Sequence, residues 1–298
     1  MSRFLGYAWA PVISLLVWFA TLTALLIWWL AEGHPQYMED EATIVFISDI
    51  GAAHKQLFIP GCAVTATFYV LSLLAERYLR HKSRIPKGAR RRERNFAIVS
   101  IVACIIAAFG LLFLSIFDAF NHSTAHWILT IVFVVGVAIS ALFQSLQVFC
   151  IKKGHPDRAH LRRNTIFKLV IVSVAIVLAI AFGILYAICK GDAGVTDRTY
   201  CNGTTSTAAV LEWTIAYLFD IYLLTLVLDL YPSIKTSIGY GSRHPEEVAR
   251  REQKQKDLEM AEAEKKRQYN PLAADPRFHG PAQPVINQPM TSHLPASR

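Results

Sequence analysis

Asp118, His122 and His126 recur at intervals of four residues. On one continuous helix their side chains would share a face. Two imidazoles and a carboxylate so placed form a metal-ligand set, which in a metal-dependent membrane hydrolase would activate water, with Asp49 or Ser48 assisting. The spacing crosses Asn121–Ser123, however, which reads as a turn. The competing role is a set of interfacial hydrogen bonds that close loops over a bundle, and this is the favoured reading. No catalytic residue, metal or cofactor is expected.

The same end of the molecule should gather further polar residues. Ser48, Asp49, Gly51 and His54 lie in FISDIGAAHKQ, between two long apolar runs, and Glu212 and Trp213 open a later run. A charge beside a hydrophobic segment is costly unless solvated or paired. Asp49 is expected to accept backbone N–H groups as a helix cap and to pair with His126 or His54. Gly51 would allow a tight backbone. Asp220 falls mid-span and should face the interior with a partner; Asp229, near a helix end, should be solvated. Gln144 and Gln147 read as polar glue between helices.

The elements that must position these residues are membrane helices. The chain of 298 residues is 53% hydrophobic and 17% charged, where soluble domains carry about 25% charge. Six apolar runs, near 8–31, 57–79, 96–117, 127–150, 166–189 and 209–230, are each long enough to cross a bilayer. The first is too long for a signal h-region and contains Trp18, Trp28 and Trp29, so it reads as an uncleaved first span. The fold class is therefore all-α: a polytopic membrane protein of six transmembrane helices. Residues 1–231 form the membrane domain and 232–298 a tail, with a charged helical segment at 245–268 and a disordered Pro-rich end.

Orientation follows from basic residues in short loops. Residues 80–95 carry eight Lys/Arg, among them Arg84, Lys87, Arg90, Arg91, Arg92 and Arg94. Residues 151–165 carry five, among them Lys152, Lys153, Arg162 and Arg163. The alternate loops carry one, none and two. The basic loops, and with them both termini, should be cytosolic, and these residues are expected to touch anionic phospholipid. Nucleic-acid binding is not expected, because neither aromatic interleaving nor a recognition fold accompanies the basic loops. On the opposite side, Asn202-Gly203-Thr204 is a glycosylation sequon, and Cys189 and Cys201 bracket a loop in an oxidising compartment, where they are a candidate disulfide.

Ile47-Ser48-Asp49-Ile50-Gly51 just before the second of six helices resembles a family of eukaryotic membrane proteins. It includes the damage-regulated autophagy modulators, the FGF-receptor-activating protein, the fungal "suppressor of four kinase" protein, and the amino-terminal part of a fungal GPI-lipid-remodelling cell-wall protein. Phe117-Asp118, His126 and Glu212-Trp213 also resemble family positions, and the resemblance covers about 8–231. Family members often follow the glycine with a proline and an acidic residue; this chain has Ala52-Ala53-His54. The charged, then Pro-rich, tail is similar to that of the kinase-regulator branch. The resemblance implies a non-enzymatic regulator of lipid organisation at the plasma membrane, working with a phosphatidylinositol 4-kinase complex through cytosolic loops and tail. The alternatives are a lipid-modifying hydrolase or GPI-lipid remodelling factor, and an autophagy modulator or channel component, with vacuole, lysosome or ER/Golgi as alternative membranes.

Overall fold

The computed structural model describes residues 8–39, 41–81, 91–149, 158–192, 198–238 and 245–269. Eight helices account for them: α1 (Trp9–Ala31), α2 (Ile47–Ala53), α3 (Lys55–His81), α4 (Arg91–Ile116), α5 (Ser123–Phe149), α6 (Arg158–Cys189), α7 (Arg198–Ile238) and α8 (Pro245–Tyr269). All but α2 and α8 are long and apolar enough to cross a membrane. Five of the six spans begin earlier than their sequence boundaries, because polar first turns continue a helix that only its apolar middle betrays. The chain divides into two compact units, Met1–Pro245 and Glu246–Arg298.

The first unit is a ring. Helix α1 packs against α3, α3 against α4, α4 against α5, α5 against α6, α6 against α7, and α7 returns to α1. The inward stripe of α1 is Ser14, Trp18, Leu22, Leu25 and Trp29, at three- and four-residue steps. Its outward face, with Leu16, Phe19, Ile27 and Leu30, is exposed, as are Phe109 on α4 and Val177 on α6. Such a continuous apolar exterior is stable only in hydrocarbon.

The tightest seam joins α4 and α5. A Cβ on Gly136 would come within 2.9 Å of the Ala107 Cβ and 3.1 Å of its backbone. Ser100 and Ser140 exchange hydrogen bonds across the seam, each hydroxyl donating to the other residue's carbonyl at 2.9 Å. Small residues that admit close backbones, with hydroxyls bonding across, are the usual adhesive between membrane helices.

Helix α2 is a short re-entry. It ends at His54, whose backbone (φ −115°, ψ 50°) breaks the helix before α3 begins. Gly51 has a practical purpose here: a Cβ at that position would lie 2.6 Å from the Phe58 ring. Its role is space for the first turn of α3 rather than an unusual backbone angle.

The second unit is described by α8, charged and exposed along its described side chains. Its i,i+4 bonds are Gln253 to Asp257 at 3.0 Å and Gln255 to Glu259 at 3.3 Å. The expected disorder of the Pro-rich end falls on 270–298, outside the described residues.

Candidate functional site

One end of the bundle gathers the N-termini of α2, α3, α5 and α7 with the C-termini of α1, α4 and α6. There the segment before α2 is strapped along α7. The Thr43 N–H donates to the Asn202 Oδ1 at 2.8 Å, the Ile44 N–H to the Ser206 hydroxyl at 3.3 Å, and the Trp213 indole N–H to the Val45 carbonyl at 3.3 Å. A helix N-terminus leaves backbone N–H groups without intrahelical partners. Here two carboxylates supply them. Glu212 accepts from the Ile47 N–H at 2.7 Å, and from the backbone and hydroxyl of Ser48. Asp49 accepts weakly from the Phe46 N–H at 3.4 Å. Burial, then the nearby charges of Glu41 and Glu212, push the Asp49 carboxyl well above its ordinary value.

The expected partners of Asp49 are engaged elsewhere. His126 directs its Nδ1 to the carbonyls of Leu114 at 2.9 Å and Phe117 at 3.0 Å. His54 stacks on Trp28 with centroids 4.4 Å apart and lies 3.6 Å from Glu32. Neither forms the Asp49 pair that the sequence suggests, because each sits on a different helix end with a nearer acceptor or ring. Asp118, His122 and His126 do not form one helical face either. The chain leaves the helix between α4 and α5, His122 is exposed against the edge of Phe117, and Asp118 is bound by Lys55 at 2.7 Å and Asn121. Among the described residues no group of three His, Cys, Asp or Glu could hold a metal ion. Burial would raise the Asp118 carboxyl, but the bonds from Lys55 and Asn121 outweigh it and hold it well below the usual carboxylate range.

Below this polar end, α5, α6 and α7 enclose a groove of about 560 Å³. Its floor is Ile171, Phe219 and Tyr222, all buried; its rim, Val135 and Ile180, is exposed, so the groove opens sideways between α5 and α6. Ser48, His126, Thr130 and Glu212 line only one end of it.

The other end of the bundle holds a buried charge network that the sequence reading missed. Arg80 clasps Glu76 at 2.7 and 2.9 Å, Gln144 donates to Glu76 at 2.6 Å, and Lys168 donates to Gln144 and to Asp229 at 2.5 Å each. Asn164 donates to Asp229 and to the Thr225 carbonyl. Asp229 is therefore buried and paired, not solvated, because α7 continues past it to Ile238. Gln147 donates to Glu93 at 2.9 Å. Asp220 has the reverse fate: it is buried, and neither carboxylate oxygen has a hydrogen-bond partner among the described residues. The available signal was the run of ionisable residues just inside several span ends, Glu76, Arg80, Lys168 and Asp229.

Arg91, Arg92, Arg94, Arg162 and Arg163 are exposed at the network end. Arg84, Lys87, Arg90, Lys152 and Lys153 lie outside the described residues. At the strapped end, Cys189 and Cys201 are joined by a disulfide that links α6 to α7. Asn202 sits in the first turns of α7, its amide nitrogen donating to the Thr43 hydroxyl at 3.0 Å.

The chain matches the family model described as the Frag1/DRAM/Sfk1/Cwh43P N-terminal domain over residues 6–233. "Protein sfk1" of Schizosaccharomyces pombe is 32% identical over 78% of this chain, and the match spans 66% of that protein, just under two thirds of its length. "Protein SFK1" of Saccharomyces cerevisiae is 25% identical over 74% of this chain and 77% of its own. No solved structure matches. With the family model covering all six spans, this chain belongs to the Frag1/DRAM/Sfk1/Cwh43P family of membrane proteins.

Proposed function

We propose that the protein is a non-enzymatic membrane regulator of lipid organisation, acting on phosphatidylinositol 4-kinase signalling at the plasma membrane with its basic end in the cytosol. The observation that carries this reading is the set of exposed arginines, Arg91, Arg92, Arg94, Arg162 and Arg163, at the ends of α4 and α6 on one side of the bundle. Each basic group near an anionic surface adds about 1 kcal/mol of attraction. Likeness to the two Sfk1 proteins supports placing that attraction in phosphoinositide regulation. At the other end Glu212 caps a helix and Asp118 and His126 close loops, which supports a structural role for these three.

The test measures phosphatidylinositol 4-phosphate and its precursors in cells lacking the protein. Wild type, a deletion of 239–298, and Asp118→Ala/His126→Ala are re-expressed, with membrane insertion verified. Phosphatidylinositol 4-phosphate should fall on loss and recover only with the tail. Accumulation of one lipid precursor, cleared by the tail deletion but not by the double substitution, would instead make the protein an enzyme.

A further inference from the structure

The groove between α5, α6 and α7 has the shape of a single hydrocarbon chain. From His126 to Ile139 on α5 it runs about 20 Å, at about 1.5 Å per residue. One leaflet's hydrocarbon depth is about 15 Å, half of the usual 30 Å. At about 30 Å³ per water-sized group, the 560 Å³ volume holds about 19 methylene-sized groups. Small residues create the space. A Cβ added to Gly183 would meet nothing within 4 Å, and Ala175 and Ala179 precede it at helical spacing on the same wall.

The polar end specifies the head that such a chain carries. His126 is 9% exposed and lines the groove. Its Nδ1 faces two carbonyl oxygens and must donate, so in the neutral imidazole Nε2 is an acceptor. Among the described residues Nε2 has no hydrogen-bond partner. An acceptor open to an otherwise apolar groove calls for an N–H or O–H donor from whatever enters it. No lysine or arginine lines the groove, and Glu212 lies at the same end. A phosphate drawn down to His126 would therefore meet a carboxylate and no cation. An uncharged hydroxyl avoids that penalty.

We propose that this groove binds diacylglycerol, one acyl chain lying along α6 and the free hydroxyl donating to the His126 Nε2, while the second chain stays in the bilayer. This goes beyond the phosphoinositide reading and does not depend on it; the lipid measurement above can fail without affecting the groove, and the reverse.

The test uses the full chain reconstituted in phosphatidylcholine nanodiscs with a diacylglycerol carrying a diazirine in mid-chain. Irradiation should label peptides from the groove walls of α5 and α6. Gly183→Phe should abolish that labelling, while Val177→Phe, on the lipid-facing side of α6, should leave it unchanged. If Gly183→Phe melts early, Ala179→Leu replaces it. Unlabelled diacylglycerol should compete about fivefold better than its acetylated form, the effect of one hydrogen bond. Labelling spread over the exposed faces, or insensitive to both filling variants, would mean annular lipid only and overturn the proposal. Stronger competition by phosphatidylcholine or by a sterol, or equal competition by the acetylated form, would overturn the assigned ligand.

Discussion

Glu212 and Asp118 are both carboxylates at one end of the bundle, yet they work in different ways. Glu212 supplies a helix cap from a residue 165 positions away. Glu212→Ala leaves the Ile47 N–H without its acceptor and should cost about 1–3 kcal/mol. Glu212→Gln retains an acceptor oxygen and should cost less. Thermal unfolding in detergent, followed by tryptophan fluorescence, would check the order. Asp118 is bound by Lys55, whose side chain is 41% exposed, so solvent screening limits the pair to about 1 kcal/mol. Its carboxyl is held below its ordinary value, so its contribution is present above the unfolded pKa of about 3.9 and lost as pH falls below it. Asp49 has the opposite sign: burial raises it, so its contribution weakens as pH rises above the same value. Asp118→Asn should therefore flatten the acid side of the stability curve, and Asp49→Asn should steepen it. Acid titration of unfolding temperature in the two single variants separates them.

At the scale of elements, the bundle is sealed at its network end by charge and left open on its α5–α6 side. Lys168 and Asp229 join α6 to α7, and Gln144 extends the connection through Glu76 to α3. Lys168→Met strands a buried Asp229 and should cost about 3–5 kcal/mol, whereas Lys168→Met with Asp229→Leu should recover much of the loss. Detergent-resistant folded yield of the two variants is the measurement; a double variant no better than the single one would mean the pair is not the seam. The six spans were legible because twenty apolar residues announce themselves without any partner. The network was not. Hydropathy treats Lys168 as a defect in a run, and nothing along the chain says that Asp229, 61 residues on, comes to neutralise it. The candidate site was half legible for the same reason. Ser48, Glu212 and Trp213 do converge, but which donor meets which acceptor depends on the break at His54 and the strap along α7. Spacing of four residues suggested a shared face for Asp118 and His126, and a turn between two helices removed it.

At the scale of the whole molecule, two unrelated features bear on which end faces the cytosol. Arg91, Arg92, Arg94, Arg162 and Arg163 are exposed at the network end, and the cytosolic side of membrane proteins carries an excess of basic residues. The disulfide between Cys189 and Cys201 lies at the opposite end, and disulfides persist in oxidising compartments. Each would be informative alone, and an inverted molecule would contradict both. In intact cells, a cysteine placed at the exposed His122 position (His122→Cys), at the disulfide end, should therefore react with a membrane-impermeant maleimide. Buried Cys62 and Cys104 should stay unlabelled. An epitope placed after residue 298 should become accessible only once the membrane is permeabilised. The closed loop spans 12 residues, so its loss should cost about 3 kcal/mol by unfolded-chain entropy, and Cys189→Ser should lower the unfolding temperature accordingly. Labelling that appears only after permeabilisation, with the tail epitope open in intact cells, would invert the molecule and place the exposed arginines on the wrong side for a phosphoinositide surface.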